Sequence, residues 1–192
     1  MGQELEYKFR ADSEKTLFSV FYRLCGDAPT QKIQMETRYF DTREGNLQAK
    51  RCTLRIRREN GQEVLTYKTP AQGHLRGEWN LVRTSKAPLP QPEELEAIGV
   101  EAMEDLRPLC GAAFCRTRCR ISQGESLIEA AADVGYLWGG SRELPFWELE
   151  LELLEGLPED LDALAANCPL PEEQDSKAKR AFLLRKPEET VS

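Results

Sequence analysis

The sequence predicts an α+β fold in which eight antiparallel strands form a barrel with a charged interior and helices pack outside it. Segments that alternate apolar and polar residues recur along the chain, and this period is typical of strands with one buried face. Turn signals separate several of these segments, and Asn60-Gly61 is the strongest of them. Helical patterns are few, which indicates a sheet-dominated architecture.

The strand pattern covers most of the first 155 residues. Asn60-Gly61 joins the third and fourth predicted strands, Gln123-Gly124 joins the sixth and seventh, and Gly139-Gly140 marks the next reversal. The predicted strands cover residues 3–10, 32–42, 52–59, 62–69, 77–84, 112–122, 126–138 and 146–155.

Helices are predicted in the gaps between strands and after the last one. The first covers 12–24, where Asp12 or Ser13 can cap an apolar stripe at helical spacing. The others cover 93–109, with breaks near Gly99 and Pro108, then 158–166 and 175–184. We expect a single domain over residues 1–192, with a frayed polar tail at about 187–192.

The overall charge narrows the classes of partner. The net charge is −7 and the pI is about 5.0, so we expect no nucleic-acid partner. A small anionic substrate would need a local basic pocket. No apolar run approaches the roughly 20 residues of a membrane span, and charges begin at Glu4 without a signal-peptide pattern. We therefore expect a cytoplasmic protein with no membrane partner; the oligomeric state is not predicted.

The six cysteines carry no metal-binding pattern. No Cys-x-x-Cys pair occurs, and His74 is the only histidine that could join them. We expect neither a zinc site nor a disulfide framework, and we predict buried free thiols instead.

Charged residues alternate along several strands, and their sign differs from strand to strand. Acidic residues dominate the first and last strands, and basic residues dominate the third, fourth and sixth. The alternative to a barrel is an open sheet with its charged face in water. The separation of acidic and basic residues onto different strands favours the barrel. Like charges within about 7 Å of one another along a strand repel, and counter-charges, a metal or a polyanion must offset this repulsion. A closed barrel of this size also has room for one small ligand.

The residue types of this interior indicate a chemistry. Clustered carboxylates favour a hard cation such as Mg²⁺ or Mn²⁺, and Arg and Lys favour phosphate oxygens. Together they suit a short polyphosphate. No Walker loop, Gly-rich phosphate cradle or Ser-His-Asp pattern is present in the sequence.

An ordered series of motifs runs along nearly the whole chain. It comprises Glu4-Leu5-Glu6-Tyr7-Lys8, Tyr39-Phe40-Asp41-Thr42, Leu54-Arg55-Ile56-Arg57, Leu65-Thr66-Tyr67-Lys68, Arg76-Gly77-Glu78-Trp79-Asn80, Arg116 with Arg118, Asp133, the run Glu148 to Glu152, and Ser176-Lys177-x-x-Arg180. In this order the series resembles the CYTH, or triphosphate tunnel metalloenzyme, superfamily, and its bacterial inorganic triphosphatase branch in particular.

The resemblance implies an eight-stranded tunnel that binds a triphosphate together with Mg²⁺ or Mn²⁺. It implies metal-side carboxylates at Glu4, Glu6, Glu150 and Glu152, with Glu148 as a further candidate. It implies phosphate-side cations at Lys8, Arg55, Arg57, Lys68, Arg76, Arg116, Arg118, Lys177 and Arg180, and acidic tunnel positions at Glu78 and Asp133. The expected catalytic residues are Glu4, Glu6, Lys8 and Lys68.

The resemblance implies an enzyme that hydrolyses triphosphates, and we expect it to cleave inorganic tripolyphosphate to pyrophosphate and phosphate. Alternatives are thiamine triphosphatase, nucleoside triphosphatase and class IV adenylyl cyclase, and, in another class, a non-catalytic polyphosphate- or nucleotide-binding module. Lys177 and Arg180 share a helix face that could lean over the tunnel mouth. Arg120 extends the basic row of the sixth strand, and we expect it either at the tunnel rim or without a functional role.

Overall fold

The computed structural model describes residues 2–185 and confirms the predicted closed barrel. Its strands follow the order β1-β5-β4-β3-β2-β6-β7-β8 around the wall, and every neighbouring pair is antiparallel. The strands are β1 (Gly2–Arg10), β2 (Gln31–Asp41), β3 (Thr53–Glu59), β4 (Gln62–Lys68), β5 (Leu75–Val82), β6 (Arg107–Gln123), β7 (Ser126–Gly139) and β8 (Arg142–Glu155).

Five helices accompany the barrel in the described part of the chain. They are α1 (Glu14–Cys25), α2 (Asn46–Ala49), α3 (Pro92–Ala97), α4 (Pro158–Ala166) and α5 (Lys177–Leu183). Ser13 caps α1, because its side chain accepts a hydrogen bond from the Thr16 amide. Between residues 2 and 185, no helix has the length and apolar character that crossing a membrane requires.

The break predicted near Gly99 is confirmed, and the helix predicted from there to residue 109 is wrong. α3 ends at Ala97, and Gly99 has a φ of +73°, a left-handed conformation that glycine adopts readily and that ends helices. Arg107 already belongs to β6, which is longer than predicted. The short helix α2 was not predicted; it is held by Asp41, whose carboxylate accepts hydrogen bonds from nearby backbone amides. The tail predicted at 187–192 lies outside the described residues.

The apolar faces of the strands point outwards and are covered by helices. On one side, α1 and α4 pack over β7 and β8, where Leu17, Leu149 and Leu161 are fully buried. On another, the segment that contains α3 covers β3 and β4, where Leu54 and Leu65 are fully buried. Because side chains alternate along a strand, the charged residues between these apolar ones point into the barrel.

Helix α5 closes one end of the barrel instead of packing on its outer wall. Ala181 packs against Cys110, Leu137 and Phe146, which share the inward face of their strands with the charged residues. Gly139 allows this close approach, since a Cβ there would lie 2.3 Å from the Ala181 carbonyl oxygen. We call this the closed end, and the opposite end, where β6 carries Arg120, the open end.

A disulfide joins Cys25, the last residue of α1, to Cys119 on β6. The prediction of free thiols is therefore wrong for these two residues, although Cys52, Cys110, Cys115 and Cys168 are free. The two partners are 94 residues apart, so no local spacing marks them as a pair. They meet because α1 packs on the outer face of β6.

Candidate functional site

A charged cavity of about 320 Å³ occupies the barrel interior. Side chains from all eight strands and from the start of α5 line it. Nine of the lining residues are Lys or Arg, and seven are Glu. These are Lys8, Arg55, Arg57, Lys68, Arg76, Arg116, Arg118, Arg120 and Lys177, with Glu4, Glu6, Glu59, Glu78, Glu129, Glu150 and Glu152.

The acidic part of the cavity lies where the first strand pairs with the last. Glu6 is opposite Glu152 in the β1–β8 register, and Lys8 is opposite Glu150. Burial, together with the charges of Glu4 and Glu6, raises the pKa of Glu152 to about 8. A carboxyl group in this position would be stabilised as an anion by a bound cation.

Two lysines neutralise the carboxylates of β1. Lys8 donates to Glu6 Oε1 at 2.7 Å, and Lys68 donates to both Glu4 oxygens at 2.7 and 2.6 Å. Lys68 also lies 3.4 Å from Glu78 Oε2. Burial of Glu78 raises its pKa, but Lys68 and Arg55 outweigh this effect and lower the pKa to about 2. This wall of the cavity is thus built of ion pairs between lysines and glutamates.

A second carboxylate cluster lies at the closed end, and α5 is anchored to it. Asp133, Glu148 and Glu150 have oxygens within 4.8 Å of one another. Lys177 Nζ lies among them, 2.8 Å from Asp133 Oδ2 and 2.7 Å from Glu150 Oε1, and it also contacts Glu148. Arg180 contacts the other Glu148 oxygen. In this arrangement Lys177 and Arg180 bind carboxylates, whereas the family resemblance implied that they bind phosphate.

Three of the expected site residues lie behind the cavity wall. Asp133, Glu148 and Arg180 are absent from the set that lines the cavity, and Asp133 and Glu148 are fully buried. Arg116 links this layer to the cavity, because it donates to both Asp133 oxygens at 2.8 and 2.7 Å and contacts Glu150.

The basic part of the cavity contains donors that the protein does not satisfy. The Nε atoms of Arg55, Arg57 and Arg76 are buried and have no hydrogen-bond acceptor among residues 2–185. Burial and the charge of Arg55 lower the pKa of Arg57 to about 10. Buried donors normally have partners, so these N–H groups fit an anionic ligand with several acceptor oxygens.

The cavity also includes residues that the sequence reasoning did not assign. Glu59, Asn80 and Glu129 line it. The signal for them was present, since Glu59 follows Arg57 by two positions and Glu129 precedes Asp133 by four. In a strand both spacings put the side chains on one face. Beside α5, a further cavity of about 660 Å³ adjoins the closed end and shares Glu6, Lys8 and other residues with the first.

Comparison with known proteins places this geometry in a family. The CYTH domain model matches residues 2–182. An inorganic triphosphatase from Haemophilus influenzae is 32% identical over 169 residues, which cover 80% of this chain and 47% of that protein. The chain thus spans about half the length of this curated relative.

Solved structures share the fold at lower sequence identity. A putative adenylyl cyclase from Hippeastrum with a dominant triphosphatase activity has a TM-score of 0.66 and 19% identity, covering 94% of this chain and 95% of the other. A putative adenylate cyclase from Bacillus halodurans has a TM-score of 0.63 and 18% identity, covering 95% and 100%. These similarities concern the fold alone. The family match extends over nearly the whole chain, and the protein belongs to the CYTH domain family.

Proposed function

We propose that this protein is a metal-dependent hydrolase of triphosphates and that it cleaves inorganic tripolyphosphate to pyrophosphate and phosphate. The observation that carries the proposal is the set of buried Nε donors on Arg55, Arg57 and Arg76, which line the barrel cavity and have no acceptor among residues 2–185. The identity to the Haemophilus inorganic triphosphatase supports the same substrate class.

The arginines would bind phosphate oxygens in the ground state and in the transition state. Arg55 and Arg57 lie two apart on β3 and point to the same side, so they can contact successive phosphates. Arg116 is held by Asp133 and Glu150, which fixes its guanidinium at the cavity wall. Rigid cations of this kind stabilise phosphoryl transfer without reorganising during the reaction.

The carboxylates at the β1–β8 pairing fit a hard divalent cation, Mg²⁺ or Mn²⁺. Glu4, Glu6, Glu150 and Glu152 line the cavity and would hold the ion. Glu152 is the best indication of this, because burial and the neighbouring carboxylates Glu4 and Glu6 raise its pKa more than Lys68 lowers it. Glu148 fits less well, since it is fully buried and does not line the cavity. The bound ion would neutralise charge on phosphate oxygens and acidify a water molecule.

Lys8 and Lys68 would act by changing partners. Each is paired with a carboxylate of β1, and a cation on those carboxylates would free the ammonium groups for phosphate oxygens. Both lysines are buried or nearly so, so their new hydrogen bonds would form in a site with little competing water.

The test measures phosphate release from tripolyphosphate, thiamine triphosphate and ATP with Mg²⁺ or Mn²⁺. We expect release from tripolyphosphate, and loss of that release in the Glu4→Ala, Glu6→Ala double variant. Arg57→Ala should raise KM by about ten- to a hundredfold with little change in kcat, since a hydrogen bond to a charged group is worth roughly 1.5–3 kcal/mol. Its neighbour Arg58 points outwards and is 53% exposed, so Arg58→Ala is the matched control.

Three other outcomes would contradict parts of this proposal. Tight polyphosphate binding without release from any substrate would contradict the enzyme and favour a binding module. Formation of cyclic AMP from ATP would favour a cyclase. Activity that survives in the Glu4, Glu6 double variant would exclude these carboxylates as the metal site.

A further inference from the structure

The basic row on β6 continues beyond Arg116 and Arg118, the two residues of this strand that the family resemblance assigns to the triphosphate. Arg116, Arg118 and Arg120 alternate along the strand and all line the cavity. The exposure of their side chains rises in this order. Arg116 is 12% exposed, Arg118 is 34% exposed, and Arg120 is exposed at the surface. At about 3.4 Å per residue the row spans roughly 14 Å. It therefore leads from the enclosed interior to solvent at the open end.

The positive charge becomes less neutralised along the same path. Arg116 binds two carboxylates. Arg118 donates to the neutral amide oxygen of Gln31 at 2.9 and 3.1 Å and has one carboxylate, Glu129, at 3.3 Å. Arg120 forms no ion pair with any residue from 2 to 185, although Glu129 is its neighbour on β7. Glu59, Glu129 and Glu152 also line this end of the cavity, but within the row Arg120 is the cation that direct contacts neutralise least.

The closed end offers no comparable extension for an anion. Helix α5 fills part of that end with Ala181 and its neighbours. The adjoining cavity has more carboxylates than cations in its lining. The carboxylates are Glu6, Asp41, Glu172, Glu173 and Asp175, against Lys8, Arg51, Arg76 and Lys179. An anion longer than a triphosphate would therefore extend towards Arg120.

We propose that Arg120 forms an additional phosphate subsite at the open end, next to Arg118, which binds the distal phosphate of linear polyphosphates longer than three units. This inference rests on the proposed function for the position of the first three phosphates. With tetrapolyphosphate, one water would add across one P–O–P bond, giving tripolyphosphate and phosphate or two pyrophosphates. The subsite would select chain length through binding and take no part in the bond cleavage itself.

The subsite is tested by calorimetric titration of the full chain with tripolyphosphate and with tetrapolyphosphate in EDTA. Hydrolysis of both compounds is assayed in parallel. We expect the wild-type protein to bind tetrapolyphosphate about tenfold more tightly than tripolyphosphate, the low end for a hydrogen bond to a charged group. Arg120→Gln should reduce this preference to less than about threefold. Arg58→Gln removes an equal charge from the outer face of β3 and should leave the preference unchanged.

The inference fails if the wild-type protein binds both anions equally, or if Arg120→Gln keeps the tenfold preference. It also fails if Arg58→Gln lowers the preference as much, because net charge alone would then account for it. Absence of hydrolysis together with an Arg120-dependent binding preference would contradict the proposed function and support the subsite.

Discussion

Reduction of the Cys25–Cys119 disulfide is expected to lower the free energy of unfolding by about 4–5 kcal/mol. The bond joins residues 94 apart. In the chain-entropy description, a cross-link over a loop of this length removes about 4.7 kcal/mol of conformational entropy from the unfolded chain at 25 °C. For a protein of this size the corresponding fall in Tm is roughly 8–20 °C.

Urea denaturation followed by tryptophan fluorescence and circular dichroism measures this effect. The free energy of unfolding of the wild-type protein is measured with and without reductant. The Cys25→Ala, Cys119→Ala double variant is measured in the same way. Alanine is preferred to serine because both positions are buried and a hydroxyl would lack a partner. Cys168→Ala is the control, since Cys168 is a half-buried free thiol and its removal should not change the response to reductant.

A reductant effect below about 1 kcal/mol would refute the reasoning on loop entropy. If the double variant were strongly destabilised while reductant left the wild-type protein unchanged, packing of the two sulfur atoms would be the cause. If the Cys168→Ala variant lost its sensitivity to reductant, a different cysteine pairing would be indicated.

Two further predictions concern the charged interior. Lys177→Ala should cost about 3 kcal/mol of stability in urea denaturation, the low end for breaking a buried ion pair, because Arg116 and Arg180 still contact the three carboxylates that lose Lys177. Lys179→Ala on the same helix, where the side chain is 57% exposed, should cost less than about 0.5 kcal/mol; equal losses would contradict the anchor. In EDTA, stability should fall as pH rises from about 5 through 8, because the folded pKa of Glu152, about 8, exceeds its ordinary value of 4.5. Glu152→Gln should remove this part of the pH dependence of Tm, and an unchanged profile would assign it to another group.

The sequence predicted the faces of the strands because strand geometry fixes them. Once Glu4 and Glu6 or Arg55 and Arg57 lie two apart in a strand, they must share a face, and the closed barrel turns that face inwards. The covering role of α1 followed from its apolar stripe. These features depend on local periodicity, which a single sequence contains.

Other features depend on contacts between distant segments. The spacing of Lys177 and Arg180 put them on one helix face, but it did not indicate their partners: Lys177 lies beside Asp133 and Glu150 because of where α5 meets the barrel. The Cys25–Cys119 disulfide likewise depends on two distant segments packing together. The start of β6 at Arg107 was missed because polar and apolar residues around it fit a helix and a strand about equally well.

The pairing of β1 with β8 has a consequence for how the protein is made. Glu6 and Glu152 become neighbours only when the first and last strands meet. A nascent chain from which β8 has not yet emerged therefore has the carboxylates of β1 but not those of β8. Ring closure of this kind is a long-range step, and such steps slow folding. The same step brings like charges together, which opposes closure until lysines or a cation compensate. Completion of the barrel and assembly of the acidic site are therefore one kinetic event, and ions in the folding medium should affect its rate.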